Sequence, residues 1–273
     1  MAQRNGVLAG LVVLAFVAAP CTGATVPPYF LQLRLHADAG VPPYDAAHRF
    51  DSTTDTGMMQ VQSIPEVRYD FSASGDGNAS STAAANASFG RLAGLASASA
   101  SGNPNSLPAF ADGDSAGGEA WADQLHVVSD TLPAGAQVKL RLTLALNDVL
   151  SASTAVGDRT TATASAWVNG LRIDDSASAP AASHVKTVDL CAAVGGTFFL
   201  KAALSFSAGA RPGTASVDVN QGAIVTLETL TPGAGYTTAS GATYAPAAVV
   251  PEPATFPIVV LALAGMVRRR RCR

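Results

Sequence analysis

From Val138 to Leu146 the chain reads VKLRLTLAL, an alternation in which every second side chain is apolar. A period of two puts alternate side chains on opposite faces of an extended strand and cannot give a helix one apolar side. The same period runs through Leu31–Leu35, Thr161–Ile173, Phe198–Ala208 and Ala215–Leu230. Outside the two ends, no stretch of a dozen residues carries the 3.6-residue period of an amphipathic helix. Turn-forming residues separate these runs at Leu132–Ala136, Ala155–Thr160, Gly209–Thr214 and Thr231–Gly235. Strands with one apolar and one polar face suit antiparallel sheets packed face to face. The expectation is an all-β body, an antiparallel β-sandwich or jelly-roll-like pair of sheets.

Residues 72–106 are low-complexity Ser, Ala, Gly and Asn, and their Ala83–Ser101 part is expected to form small-residue strands. Glu119–Leu146 reads as a hairpin joined at the Pro-Ala-Gly turn. The body thus divides into an N-terminal part, residues 25–118, and a main sandwich region, residues 119–248.

Charge narrows the partners. The net charge is −3, but the basic residues crowd the ends. Between residues 25 and 250, eleven Lys and Arg face nineteen Asp and Glu, a net of −8. A body of that sign repels phosphate backbones, so nucleic acid is not an expected partner. Neutral sugars and cations remain compatible with it.

Residues 1–24 have the order of an export signal: Arg4, an apolar core from Val7 to Ala19, then small residues ending at Ala24. Pro20 directly before Cys21 disfavours a lipid-attachment reading. With Cys21 in that signal and Cys272 in the terminal tail, Cys191 is the body's one thiol. An internal disulfide is therefore excluded, and burial and sheet hydrogen bonds must hold the fold.

The other end divides three solvents. Pro251 and Pro253 cannot continue a helix, so Pro251-Glu252-Pro253 stays extended and wet. Ala254–Val267 is apolar, about 14 residues or roughly 21 Å as helix. That falls short of a hydrocarbon core of about 30 Å, so flanking arginines must snorkel or the bilayer must thin. Arg268, Arg269, Arg270 and Arg271, with Arg273, then stop transfer. Each guanidinium costs on the order of 3 kcal/mol at the bilayer centre. The tail is expected to be a short transmembrane helix with its end in the cytoplasm and the body outside.

This order of Pro-Glu-Pro, apolar helix and arginine cluster in residues 249–273 resembles the PEP-CTERM sorting signal of Gram-negative bacteria. The likeness is confined to those last two dozen residues. Its apolar run is short, and Phe256 stands near the place where an aromatic residue, often Trp, is usual. The resemblance implies recognition and processing by exosortase, a membrane transpeptidase, after transient inner-membrane anchoring. It also implies a cell-surface or extracellular-matrix destination and an association with exopolysaccharide.

Catalytic patterns are weak. Gly113-Asp114-Ser115-Ala116-Gly117 is formally G-x-S-x-G, and His48 lies upstream, but no apolar strand precedes the serine and no helix follows it. Glu119, Asp123 and Glu228 are the carboxylates a glycosidase would need in a pair. His36, His48, His126 and His184 lack zinc-type spacing. Asp112, Asp114 and Glu119 crowd one stretch and form a candidate calcium site, without the EF-hand pattern. Trp121 and Trp167 lie in alternating strands, where burial in the core is expected rather than service as sugar platforms.

The expectation for function is an exported, sorted, non-catalytic protein, structural or exopolysaccharide-associated. A carbohydrate-binding module and a secreted hydrolase are the alternatives.

Overall fold

The computed structural model describes residues 27–41, 49–102, 111–154, 160–178, 184–211 and 213–245. The export signal, the sorting tail, His48 and residues 103–106 lie outside them. The described strands are β1 (Tyr29–Gly40), β2 (Arg49–Asp55), β3 (Ser63–Ser74), β4 (Gly77–Ser88), β5 (Arg91–Gly102), β6 (Asp112–Ser129) and β7 (Gln137–Thr154). There follow β8 (Thr161–Val168), β9 (Leu171–Ser176), β10 (Val185–Ala193), β11 (Thr197–Ala210), β12 (Gly213–Thr229) and β13 (Ala234–Thr238).

They make two antiparallel sheets. The first runs β2-β1-β6-β11-β8-β9, with β13 pairing β6 beyond the end of β1. The second runs β10-β7-β12-β5-β4-β3. The body is therefore an all-β sandwich, and the alternation explains why. Val138, Leu140, Leu142, Leu144 and Leu146 of β7 are all buried, as are Leu31, Leu33 and Leu35 of β1 and Leu200, Leu204 and Phe206 of β11. Each buried side chain of that size contributes on the order of 2 kcal/mol.

The low-complexity segment is part of this core. β4 and β5 pair as a hairpin and bury Ala83, Ala85, Ala87, Leu92, Ala96 and Ala98. Small side chains here make room for a large one opposite. A Cβ added to Gly94 of β5 would meet the Phe206 ring at 2.3 Å, and one on Gly117 of β6 at 2.2 Å. The ring occupies the space those two glycines leave.

Two expected connections are corrected. Glu119–Leu146 is no hairpin, because β6 belongs to the first sheet and β7 to the second. Both strands carry an apolar inner face, and the stretch between them crosses from one layer to the other instead of folding β7 back onto β6. Conversely, Thr161–Ile173 is two strands. Asn169 (φ 40°) and Gly170 (φ 92°) fold β8 onto β9, the pair of left-handed residues that a two-residue hairpin turn demands. The division at residue 118 falls inside β6, and strands from either side of it share both sheets.

Candidate functional site: a polar groove on the outer face of the first sheet

The strand register places side chains on the outer face in rows. One row runs Asp55, Arg34, Gly118, Ser205, Ser165, Asp174 from β2 to β9. The next runs Thr53, His36, Ala116, Ser207, Thr163, Ser176. In both rows the central strands contribute only hydrogen, methyl or hydroxyl groups, whereas the large or charged side chains, Asp55, Arg34 and Asp174 in the first row and His36 in the second, stand on the outer strands. Size alone thus shapes a trough, of about 950 Å³. Five strand spacings separate its limits, or about 24 Å.

Each wall carries an ion pair. Arg34 Nε lies 2.8 Å from Asp55 Oδ2, and Gln32 Nε2 donates to Asp55 Oδ1 at 3.0 Å. The Gln32 bond, with Gly57 N–H and Arg34, holds the Asp55 carboxyl below its usual range despite partial desolvation. On the far wall Arg172 Nε lies 2.8 Å from Asp174 Oδ1, to which Ser165 Oγ donates at 2.7 Å. Desolvation is the largest single influence on Asp174 and raises its pKa. Ser165, Arg172 and Lys186 together outweigh it, so that carboxyl also sits low. On the floor Thr163 Oγ1 and Ser207 Oγ share a hydrogen at 2.9 Å. Both carboxylates are charged at neutral pH, each beside its own guanidinium. The trough is thus close to neutral, with hydroxyls set among the small apolar groups of its floor.

Trp167 stands on this same outer face, opposite Arg172 in the register and half-buried. That corrects its expected place in the core. Trp121 is fully buried, as expected, and stacks on Tyr244 with ring centres 5.2 Å apart.

The carboxylates of the calcium expectation do not converge. Alternation along β6 turns Asp112 and Asp114 outward and Glu119 inward, where it is fully buried. Asp112 instead pairs with Arg211 Nη2 at 2.5 Å. Ser115, the formal elbow serine, is also buried and donates to the Ser97 carbonyl at 3.0 Å. Glu119 and Asp123 share the inner face, while Glu228 is exposed on the second sheet. These three carboxylates do not face one cleft.

Two other groups do gather. His36, Asp38 and Asp51 offer ligand atoms within 4.8 Å of one another at the rim of the groove, and Asp148, Asp175 and His184 do so at another edge. Sequence spacing hides both, because strand pairing and layer packing bring their members together. The groove is hidden for the same reason, its residues coming from six separate stretches; the adjacent Gly117-Gly118 and the Ser205-Phe206-Ser207 triplet are the only local hints of a shallow floor.

No protein-family model, no curated protein and no solved structure matches the chain.

Proposed function

We propose that this is an exported surface protein that acts by binding rather than catalysis, holding a neutral, hydroxyl-rich polysaccharide along the groove of the first sheet. The observation that carries the binding role is the trough itself. A trough whose limits lie about 24 Å apart, with hydroxyls and small apolar groups on its floor and an Arg–Asp pair at each wall, matches an extended chain of sugar units better than a compact metabolite. Guanidinium and carboxylate groups bond vicinal hydroxyls in pairs, and Trp167 adds a flat apolar ring on the same face. The near-neutral wall charges favour a neutral glycan over a strongly acidic one.

Delivery rests on the tail. Pro251, Glu252 and Pro253 serve as the recognition motif for an exosortase-type membrane transpeptidase, and Arg268, Arg269, Arg270 and Arg271 hold the chain in the inner membrane until processing. The body then reaches the cell surface or extracellular matrix, where exopolysaccharide is the ligand at hand.

Intact-mass measurement of the protein from its own cells tests the delivery step. The expected C-terminus lies near the Pro-Glu-Pro motif, with the arginine cluster removed. Chains still ending in Arg273 while the processing enzyme is active would refute it.

A further inference from the structure

Three acidic positions interrupt the apolar inner faces. Glu119 stands alone, and Asp123 is satisfied by Ser240 and Tyr244. The third lies where the edges of the two sheets meet. Asp148 continues the inward parity of Leu142, Leu144 and Leu146 on β7, and Asp175 that of Ile173 on β9. The two carboxyls therefore face each other across the layers. His184, immediately before β10, closes the group, its carbonyl held by Leu146 N–H at 2.8 Å.

The Asp148 side chain has no exposure, and neither of its oxygens receives a hydrogen bond. A buried carboxylate without donors costs several kcal/mol unless a charge or proton compensates it. The neighbouring Asp175 side chain is 4% exposed, and Ser176 N–H occupies its Oδ1 at 2.7 Å. Asp175 Oδ2 faces His184 Nε2 at 3.8 Å, while His184 Nδ1 lies 3.2 Å from Asp148 Oδ1. Two buried acids, Asp148 among them without a hydrogen-bond donor, meet an imidazole 45% open to solvent, which gives the group an entry path.

We propose that Asp148, Asp175 and His184 bind one divalent metal ion of the zinc class. Bonds of about 2.0–2.2 Å set tetrahedral ligand atoms about 3.4 Å apart, and one ligand atom from each of the three side chains already lies within 4.8 Å of the other two. The metal takes one imidazole nitrogen, and the exposed ring turns to present it. Three protein ligands of mixed N and O character leave a fourth position for water, which suits zinc. Calcium, which takes six to eight oxygens, is poorly served. The ion ties β9 of the first sheet to β7 of the second, a fastening across layers in a body whose one cysteine, Cys191, is free.

The test is zinc uptake by the chelator-stripped chain, read by equilibrium dialysis with elemental analysis and by melting temperature. One tightly held equivalent and a zinc-dependent rise in Tm are expected. Asp148→Asn, which keeps shape and removes charge, and His184→Ala each weaken that uptake by more than about a hundredfold, beyond the loss that outer-shell changes produce. They also abolish the Tm rise, whereas His126→Ala, at an exposed position of β6 away from both groups, leaves both unchanged. No uptake by the unaltered chain, or uptake and Tm rise that survive in Asp148→Asn and His184→Ala, would overturn the proposal.

Discussion

Tyr244→Ala is expected to lower unfolding free energy by about 3–5 kcal/mol, the range for removing a buried aromatic side chain. Tyr244 is 1% exposed and stacks on Trp121 at an interplanar angle of 16°. Its hydroxyl donates to Asp123 Oδ2 at 2.8 Å, while Ser240 N–H donates to Asp123 Oδ1 at 3.0 Å. Leu227 N–H in turn binds the Tyr244 carbonyl at 2.7 Å. The stretch after β13 is thereby drawn over the end of the sandwich and satisfies a carboxyl that β6 points inward. Burial and the adjacent Asp123 charge hold the Tyr244 phenol far above its ordinary pKa, so it remains a donor at all physiological pH. Tyr244→Phe isolates the hydrogen bond and should cost about 1.5–3 kcal/mol, the range for bonds to charged groups. Urea unfolding of the two variants separates the contributions. Equal stability of both variants and the parent chain would show that this stretch does not close the core.

Glu119→Leu should do the opposite and stabilise the fold, increasingly so as pH rises. Glu119 lies between Leu33 and Leu204 in the register, fully buried, and neither of its oxygens has a partner. Desolvation alone raises its pKa well above the ordinary 4.5. Because the folded-state value exceeds the unfolded one, the unfolded chain releases this proton first. The carboxyl therefore costs nothing extra below about pH 4.5. Above it, stability falls by about 1.4 kcal/mol per pH unit until the folded-state pKa is passed. Asp148, raised chiefly by burial, contributes with the same sign, so the comparison with Glu119→Leu isolates the Glu119 share. Unfolding measured at pH 5 and pH 8 should show the variant's advantage growing across that interval. An advantage independent of pH would mean that Glu119 is ionised in the fold.

The strands were legible because alternation is a local signal: Val138–Leu146 and Phe198–Ala208 lie within single strands, and Ala215–Leu230 does so up to its last residue. Even Ala83–Ser101, nearly featureless in composition, falls in the β4–β5 hairpin, where Gly94 leaves the space that Phe206 fills. What alternation does not encode is the partner of a strand. A turn such as Leu132–Ala136 reads the same whether the chain returns in its own sheet or crosses to the other, and here it crosses. The Asn169-Gly170 turn was present in the letters but overridden by unbroken periodicity on either side. Site residues were less visible still. Gly118, Ser205 and Ser165 form one row only after three strands pair, and Asp148 meets Asp175 only after two sheets stack. The acids adjacent in sequence, Asp114 and Glu119, are the ones that parity sends to opposite faces.

The polysaccharide binding proposed for the outer groove of the first sheet is tested by Ser205→Trp. Ser205 faces outward from β11 on the groove floor, so an indole there fills the trough and leaves the inner face unaltered. Affinity for the exopolysaccharide of the producing cells, measured with the purified chain, should fall by more than about tenfold, equivalent to about 1.4 kcal/mol, with Tm unchanged. Undiminished affinity in a folded Ser205→Trp protein would contradict the account.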